Sequence, residues 1–452
     1  MSVCYNKSTM KLFNSKTNHL EVFNPIEANK VSMYVCGPTV YGEAHIGNAR
    51  PIIVFDTLRN TFEALGYSVD YLSNFTDVDD KIIQKAIQEK TDEKTITKRY
   101  IQAYTELRDA LHTQKLDFIK VTDTMDEIIA FIDQLVKSDF AYNIDGDVYF
   151  RVSKVEDYGI ISKQRIDDLI VGARVEEEVK KESPLDFALW KKTKDGIQWD
   201  SPWGKGRPGW HTECVVMIDK HFHHQIDIHG GGMDLKFPHH ENELAQSKAG
   251  YHHDLANIWM HNGMLNIDGE KMSKSIGNIL LAKDMVAKIG ANAVRWMMLS
   301  AHYRSPLNVS ESVLEQAQTE IIKIETVLKQ VEIKTQLKGI QLISECETVY
   351  YAQFLEALSD DLNTPNALKI ILDICKELNQ VMRNPSWDNQ ILSGLYHSLR
   401  KMLAIGGMII EPVTLSENQL NLYHAWDKAK LEKDFTKADA LRKQLIEEQV
   451  LV

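Results

Sequence analysis

Four residues spread over nearly half of the chain carry side chains that zinc accepts as ligands: Cys36, Cys214, His239 and Glu243. Two thiolates, an imidazole and a carboxylate make a donor set for one tetrahedral ion. His239 and Glu243 are four apart in a stretch with a helical pattern, so they share one face and can converge on a single metal. Cys36 closes a predicted strand and Cys214 follows a Trp-rich loop; the carboxyl edge of a parallel sheet gathers such positions into one crevice. Spacing alone leaves a structural reading open. An isolated buried cysteine is usually a small hydrophobe, and a tract such as His221, His223 and His224 is more often solvated than ligating.

Two short motifs lie beside this quartet. His45-Ile46-Gly47-Asn48 stands at the entry of a predicted helix, where free N–H groups and the helix dipole attract phosphate. The imidazole adds a donor, and Gly47 lets a flat base approach closely. Lys271-Met272-Ser273-Lys274-Ser275 follows a predicted hairpin. Two lysines around small hydroxyl residues suit a phosphate that gains negative charge in its transition state. Taken singly, the first motif reads as a helix cap and the second as a surface loop. Together with the quartet they describe a nucleotide site at which a metal reads the substrate.

The elements that must position these residues are visible in the apolar periodicity. Val31, Met33 and Val35 alternate with polar neighbours as in a strand. A Gly37-Pro38 break follows, then a helix over 49–65 with Pro51 in its first turn and Gly66 as its stop. Tyr67 to Phe75 reads as a second strand. Strand, glycine-containing loop, helix and strand open a doubly wound nucleotide-binding sheet. Helices are predicted over 79–114 and 125–136. Residues 141–208 change character, with a short strand at 148–152 and a Pro/Gly/Trp-rich loop from Trp199 to Trp210, and read as an insertion between two halves of one sheet. The sheet resumes at 225–229, followed by Gly230-Gly231-Gly232, a helix over 238–248 and a strand over 258–261. Leu265 to Ile267 with the Asp268-Gly269 turn predicts a hairpin before Lys271. Beyond Ser310 the pattern is helical and bundle-like.

Composition is consistent with this plan. A chain of 452 residues exceeds one ordinary core, and 44% apolar with 26% charged residues describes a globular protein. No apolar run is long enough to span a bilayer, and the polar start from Met1 to Lys16 has no signal-like pattern, so a cytoplasmic location is expected. Five cysteines, an odd and scattered number, argue against a disulfide framework. The net charge of −12 repels polyanions on average, leaving a nucleic-acid partner to local patches.

Further stretches narrow the reading: Tyr34-Val35-Cys36-Gly37-Pro38-Thr39-Val40-Tyr41, Asn74-Phe75-Thr76-Asp77-Val78-Asp79-Asp80-Lys81, Gly209-Trp210-His211-Thr212-Glu213-Cys214 and Phe237-Pro238-His239-His240-Glu241-Asn242-Glu243. With the two phosphate motifs, and in this order, they resemble the cysteinyl-tRNA synthetase family of class I aminoacyl-tRNA synthetases over nearly the whole chain. The resemblance implies a Rossmann-like doubly wound parallel sheet with a connective insertion, followed by an α-helical C-terminal region. The expected divisions are 1–140 and 211–270 for the halves of the catalytic domain, 141–210 for the insertion, 271–310 for the Lys-Met-Ser-Lys-Ser loop and linking region, and 311–452 for an anticodon-binding region.

It further implies one zinc ion on Cys36, Cys214, His239 and Glu243, with the substrate thiolate as an added ligand and Glu243 as the adjustable one. His45, Lys271 and Lys274 would act in catalysis. His45, Gly47, Asn48 and Lys274 would hold ATP with Mg2+, and Thr76, Trp210 and Asp234 would line the amino-acid pocket. Those three also have plainer readings, as a helix cap, a core aromatic and a turn residue. The expected partners are L-cysteine, ATP and tRNA-Cys, with no membrane and a monomeric chain. Asn48 stands where the general class I motif has a second histidine, a change common in this family. The family's usual longer tail is not matched beyond Val452, so anticodon contacts made by such a tail would be missing. Two other readings fit part of the pattern. One is a related ligase passing cysteine to a small amine, which would not need the helical region. The other is a non-catalytic zinc protein binding RNA, against which the retained His45, Lys271 and Lys274 argue.

Overall fold

The structure, a computed structural model, describes residues 9–164, 181–271, 279–343, 348–384, 386–448 and 450. An antiparallel hairpin of β1 (Lys11–Asn14) and β2 (His19–Val22) comes first. Then follow β3 (Lys30–Val35), α1 (Ile46–Ala64), β4 (Ser68–Phe75), α2 (Asp80–Glu89), α3 (Glu93–Ala110), β5 (Asp117–Lys120) and α4 (Met125–Lys137). The insertion is a separate antiparallel sheet of β6 (Ala141–Ile144), β7 (Asp147–Phe150), β8 (Phe187–Lys192) and β9 (Gly206–Pro208). The chain then returns through α5 (Glu213–Phe222), β10 (Ile226–Gly232), α6 (Glu241–Gly250) and β11 (Ala256–Asn262).

Strands β11, β10, β3, β4 and β5 form, in that order, one parallel sheet. This is the doubly wound arrangement that the alternating pattern predicts. Val31 to Val35 are all buried, as expected of a strand covered on both faces. On α1 the apolar residues Ile52, Ile53, Phe55, Leu58 and Phe62 are buried against the sheet and the later helices.

Some expectations need correction. Helix α1 starts at Ile46, not Ala49, because His45 serves as its cap. Pro51 therefore falls in the second turn, where its missing N–H removes the bond to the Gly47 carbonyl. The strand predicted over 148–152 is Asp147–Phe150, and a short helical turn, Val152–Lys154, follows it. The glycines 230–232 lie inside β10. A Cβ on Gly230 would come within 2.4 Å of the Phe55 ring, which needs that space to pack on the sheet.

After β11 come β12 (Leu265–Ile267), β13 (Glu270–Lys271), α7 (Ala282–Ile289), α8 (Ala291–Leu299) and β14 (Leu307–Val309). The predicted hairpin is present, and β14 adds in parallel to its first strand. The helical region follows as α9 (Glu311–Leu337), α10 (Val349–Ser359), α11 (Thr364–Arg383), α12 (Asn389–Ile405), α13 (Glu417–Leu431) and α14 (Phe435–Glu447). Among the described residues no helix is long and apolar enough to cross a membrane.

Two buried polar nodes join these parts. Asp361 accepts from the Phe13 N–H and the Tyr303 hydroxyl, both at 2.8 Å, and pairs with Arg304. Arg295, fully buried on α8, donates to Asp56 of α1 at 2.6 Å and to the carbonyls of Leu111 and Gly406. Removing one partner of such a pair leaves an uncompensated charge in the core, at about 3–5 kcal/mol. Arg295→Ala is therefore expected to lower the first urea-unfolding midpoint clearly. An unchanged midpoint would show that the node is dispensable.

Candidate functional site

The parallel register brings the distant candidate ligands together. Cys36 follows β3, and its N–H donates to the Gly230 carbonyl of β10 at 3.1 Å. Gly37 passes so close to β4 that a Cβ there would lie 1.7 Å from the Asn74 carbonyl oxygen, so only glycine fits. Cys214 occupies the first turn of α5. His239 lies in a wide helical turn, Lys236–His240, that runs into α6, where Glu243 sits. This entry differs from the simple helix predicted over 238–248, because Phe237 is extended (φ −142°, ψ 135°). The four-residue spacing still works: His239 Nε2 is 2.9 Å from Glu243 Oε1.

The four side chains present ligand atoms that all lie within 4.8 Å of one another. Cys36 Sγ is 3.8 Å from Cys214 Sγ and 3.9 Å from Glu243, and Cys214 Sγ is 3.8 Å from His239 Nε2. Ligands about 2.3 Å from a tetrahedral centre are about 3.8 Å apart, so the thiol distances suit one ion. The imidazole is also held as a ligand should be. Its Nδ1 is 3.0 Å from His211 Nδ1, leaving Nε2 to face the thiol and carboxylate. Burial, and then the charge of His239, push His211 down to about 3, so it stays neutral and can accept that proton. A second set, Cys36, His229, His240 and Glu243, is equally close. Its histidines are held in the same manner, His240 Nδ1 lying 2.8 Å from His261 Nε2 and His229 stacking on Trp259, so the donor chemistry decides between the sets. The first set, with two sulfurs, is the better zinc site.

Charge in this pocket is strongly coupled. Burial disfavours the His239 cation, but Glu243 and Cys214 outweigh it and raise the imidazole to about 10. Burial would raise the Glu243 carboxyl, yet His239 and His229 hold it well below the usual range. Burial pushes the Cys36 thiol up, while the hydrogen bond from Cys36 draws Cys214 down to about 7.

The three residues expected to line an amino-acid pocket divide. Thr76 is buried; its hydroxyl donates to Glu213 Oε2 at 3.0 Å and accepts from Asn74 Nδ2 at 3.1 Å. Trp210 is 42% exposed and stacks on His239 with 4.3 Å between ring centroids, so it is not a core aromatic. Asp234 is exposed on the turn after β10, close enough to His45 to oppose the lowering of that imidazole by burial. At the start of α1, Asn48 Oδ1 accepts from the His45 N–H at 3.0 Å, so Asn48 caps the helix; Gly47 lies in its first turn. His45 Nδ1 is buried without a partner. Lys271 belongs to β13, and Lys274 lies outside the described residues.

The chain matches the family model described as tRNA synthetases class I (C) catalytic domain over residues 22–319, and a DALR domain model over residues 353–410. It is 43% identical to a cysteine–tRNA ligase of Oceanobacillus iheyensis over 98% of this chain and 97% of that protein. It is 45% identical to one of Exiguobacterium sibiricum at the same coverage. The chain belongs to the cysteine–tRNA ligase family. Solved structures support the fold. A Mycobacterium tuberculosis methionyl-tRNA synthetase bound by methionyl-adenylate aligns with a TM-score of 0.62 at 13% identity, covering 90% of this chain and 96% of that one. A Thermus thermophilus arginyl-tRNA synthetase aligns at 0.57 and 11%, covering 87% and 84%.

Sequence reasoning missed the supporting residues. Asn74, His211, Glu213 and His240 fall inside the stretches that carry the resemblance but had no role assigned, and no local signal marks His229 and His261. If the first set holds the ion, Cys214→Ser should lower bound metal measured by elemental analysis after dialysis. Cys375→Ser, at a buried thiol of α11 remote in sequence from the quartet, should leave it unchanged. Equal metal in both variants would remove Cys214 from the ligand set.

Proposed function

We propose that this protein is a cytoplasmic, monomeric cysteine–tRNA ligase that uses zinc to recognise its amino acid. In the first step the carboxylate of cysteine attacks the α-phosphorus of ATP, which travels with Mg2+. Cysteinyl-adenylate forms and pyrophosphate leaves. In the second, a 3′-terminal hydroxyl of tRNA-Cys attacks the carbonyl carbon and AMP leaves. No covalent enzyme intermediate is needed, so the protein acts by positioning and charge stabilisation.

The observation that carries the specific reading is the Cys36, Cys214, His239 and Glu243 cluster at the carboxyl edge of a class I catalytic domain. Cysteine and serine differ by one atom, and a pocket built on shape alone separates such near-isosteres poorly. Zinc held there prefers thiolate over hydroxyl and stabilises deprotonated sulfur. The chain's own residues do the rest. Trp210 walls the pocket against His239. Thr76 is held by Glu213 and Asn74, and Asp234 faces the crevice as a partner for the substrate ammonium. Glu243 has a second neighbour in His229, 2.8 Å from Oε2, which gives this carboxylate an alternative anchor and suits it to be the adjustable ligand. His45 and the N-terminus of α1 meet the phosphates from one side, with Gly47 and Asn48 shaping that turn. Lys271 and Lys274 would approach from the other.

Cysteine-dependent ATP–pyrophosphate exchange, repeated with serine and followed by charging of tRNA-Cys, tests this reading. Exchange with cysteine should exceed exchange with serine by about four orders of magnitude, and charging should follow. Absence of exchange would leave a non-catalytic zinc protein, and exchange without charging would favour a small-amine ligase. In the same assay His45→Ala should slow adenylate formation by about 10²–10³-fold with cysteine affinity kept. A fall in cysteine affinity alone would move His45 out of the phosphate role.

A further inference from the structure

One polar atom at the carboxyl edge has no account in the site described so far. Asn262, the last residue of β11, is 4% exposed. Its Nδ2 donates to the Gly263 carbonyl at 3.3 Å, which orients the amide, and its Oδ1 is buried with no hydrogen-bond partner. Buried acceptors are nearly always paired, because an unmet one keeps its full desolvation cost. The backbone next to it is fixed. Arg50 of α1 donates to the Gly263 carbonyl at 2.8 Å, and the Gly263 N–H donates to the Tyr303 carbonyl at 2.7 Å. A Cβ on Gly263 would lie 2.4 Å from the Ser305 carbonyl oxygen. Asn262 is thus a held acceptor and not part of a loose loop.

Its place along the sheet indicates what it would meet. In the β10–β11 ladder Gly230 pairs with Met260 and Gly232 with Asn262. Side chains alternate, so Asn262 shares the face of Met260, which packs in the same core as α1. Strands β3, β10 and β11 are neighbours in the sheet. Their ends therefore set in line Cys36, the glycine run leading to Asp234, and Asn262. Two inter-strand steps separate the ends of that line, about 10 Å. An aminoacyl-adenylate with its sulfur at Cys36, on the His240 face, would cross this edge past Asp234 and His45 and bring its base to the end of β11 on the α1 face. The only hydrogen-bond donor of an adenine base in a nucleotide is its 6-amino group.

We infer that Asn262 Oδ1 accepts a hydrogen bond from the 6-amino group of ATP and so selects adenine against 6-oxo purines. This rests on the ATP-dependent reading given above. Inosine triphosphate would oppose the amide oxygen with a second acceptor, and purine riboside triphosphate would leave it unpaired. Oδ1 is sealed from solvent, so side chains over it must part as the base enters, and base recognition is coupled to that movement.

The test compares cysteine-dependent pyrophosphate exchange with ATP, purine riboside triphosphate and inosine triphosphate. It uses the wild-type chain, Asn262→Ala and Asn262→Ser, with metal content and the KM for cysteine showing that each variant is folded. The wild type should favour ATP over purine riboside triphosphate by about tenfold in kcat/KM, the size of one net hydrogen bond in a buried site. Asn262→Ala should reduce that ratio to near one while the KM for cysteine stays put. A wild-type ratio below about twofold overturns the inference without any variant. A wild-type ratio that persists in either folded variant overturns it too, assigning Oδ1 to a buried water. No exchange with any nucleotide would instead overturn the ATP-dependent reading itself.

Discussion

The site depends on the parallel register of β3 against β10. Met33 lies beside Ile228 and Val35 beside Gly230, and the Cys36 N–H completes the ladder on the Gly230 carbonyl. A slip by one residue would turn every side chain of the strand to the other face, carrying the Cys36 thiol away from Cys214 and Glu243. The register is secured from both sides. Phe55 of α1 fills the space a Cβ at Gly230 would occupy, and His240 sits 2.9 Å from the Cβ position at Gly231. The glycine run is therefore part of the mechanism of alignment. It lets a helix and an imidazole press on the same strand from opposite faces, and the strand's end then aims the chain toward His239.

That alignment creates an electrostatic problem which the donor set defines. Glu243 has no exposure, and His239 and Cys214 very little. A buried carboxylate is tolerable only with charge or donors beside it, and His239 and His229 supply them. Cys214 is relieved by the Cys36 hydrogen bond and by His239, but Cys36 has no such relief. Cys214 and Glu243 work together with burial to keep the Cys36 thiol protonated. In a pocket of this kind a divalent cation would settle a conflict that protons settle poorly, because it draws both thiols to thiolates at once. The neutral shell of His211, His240 and His261, each lowered chiefly by burial, adds orientation without adding charge.

Much of this was legible in the chain itself, for physical reasons that also explain the gaps. Long, strongly patterned elements such as β3, α1, β4 and the helices after Ser310 declare themselves by periodicity. The clustered quartet could be found because thiolate, imidazole and carboxylate are few in kind and because His239 and Glu243 keep a helical spacing. Strands of three or four residues, among them β1, β5, β9 and β14, carry too few side chains for a period to show. The glycines of β10 hide in the same way, since their reason lies in Phe55 and His240 and not in their own propensity. Buried histidines are the harder case. Nothing local separates His229, stacked on Trp259 at no exposure, from His221, paired with Asp70 at the surface. Only the fold decides which imidazole is dry.

Burial then divides the crevice into two environments suited to two tasks. Discrimination between sulfur and oxygen needs fixed, dry groups that cannot rearrange around the wrong atom, and the end with the Cys/His/Glu cluster has them: His239, Glu243, Cys214 and Thr76 are all buried. Handling a triphosphate needs entry, exit and tolerance of a large charge change, and the other end is more open. His45 is only partly buried and Asp234 is exposed, with the N-terminus of α1 supplying fixed dipoles that need no reorganisation. The two ends meet where β10 gives out, at Gly232. On the proposed reading, the atom that distinguishes cysteine from serine meets the buried groups, apart from the more exposed end where the phosphates turn over.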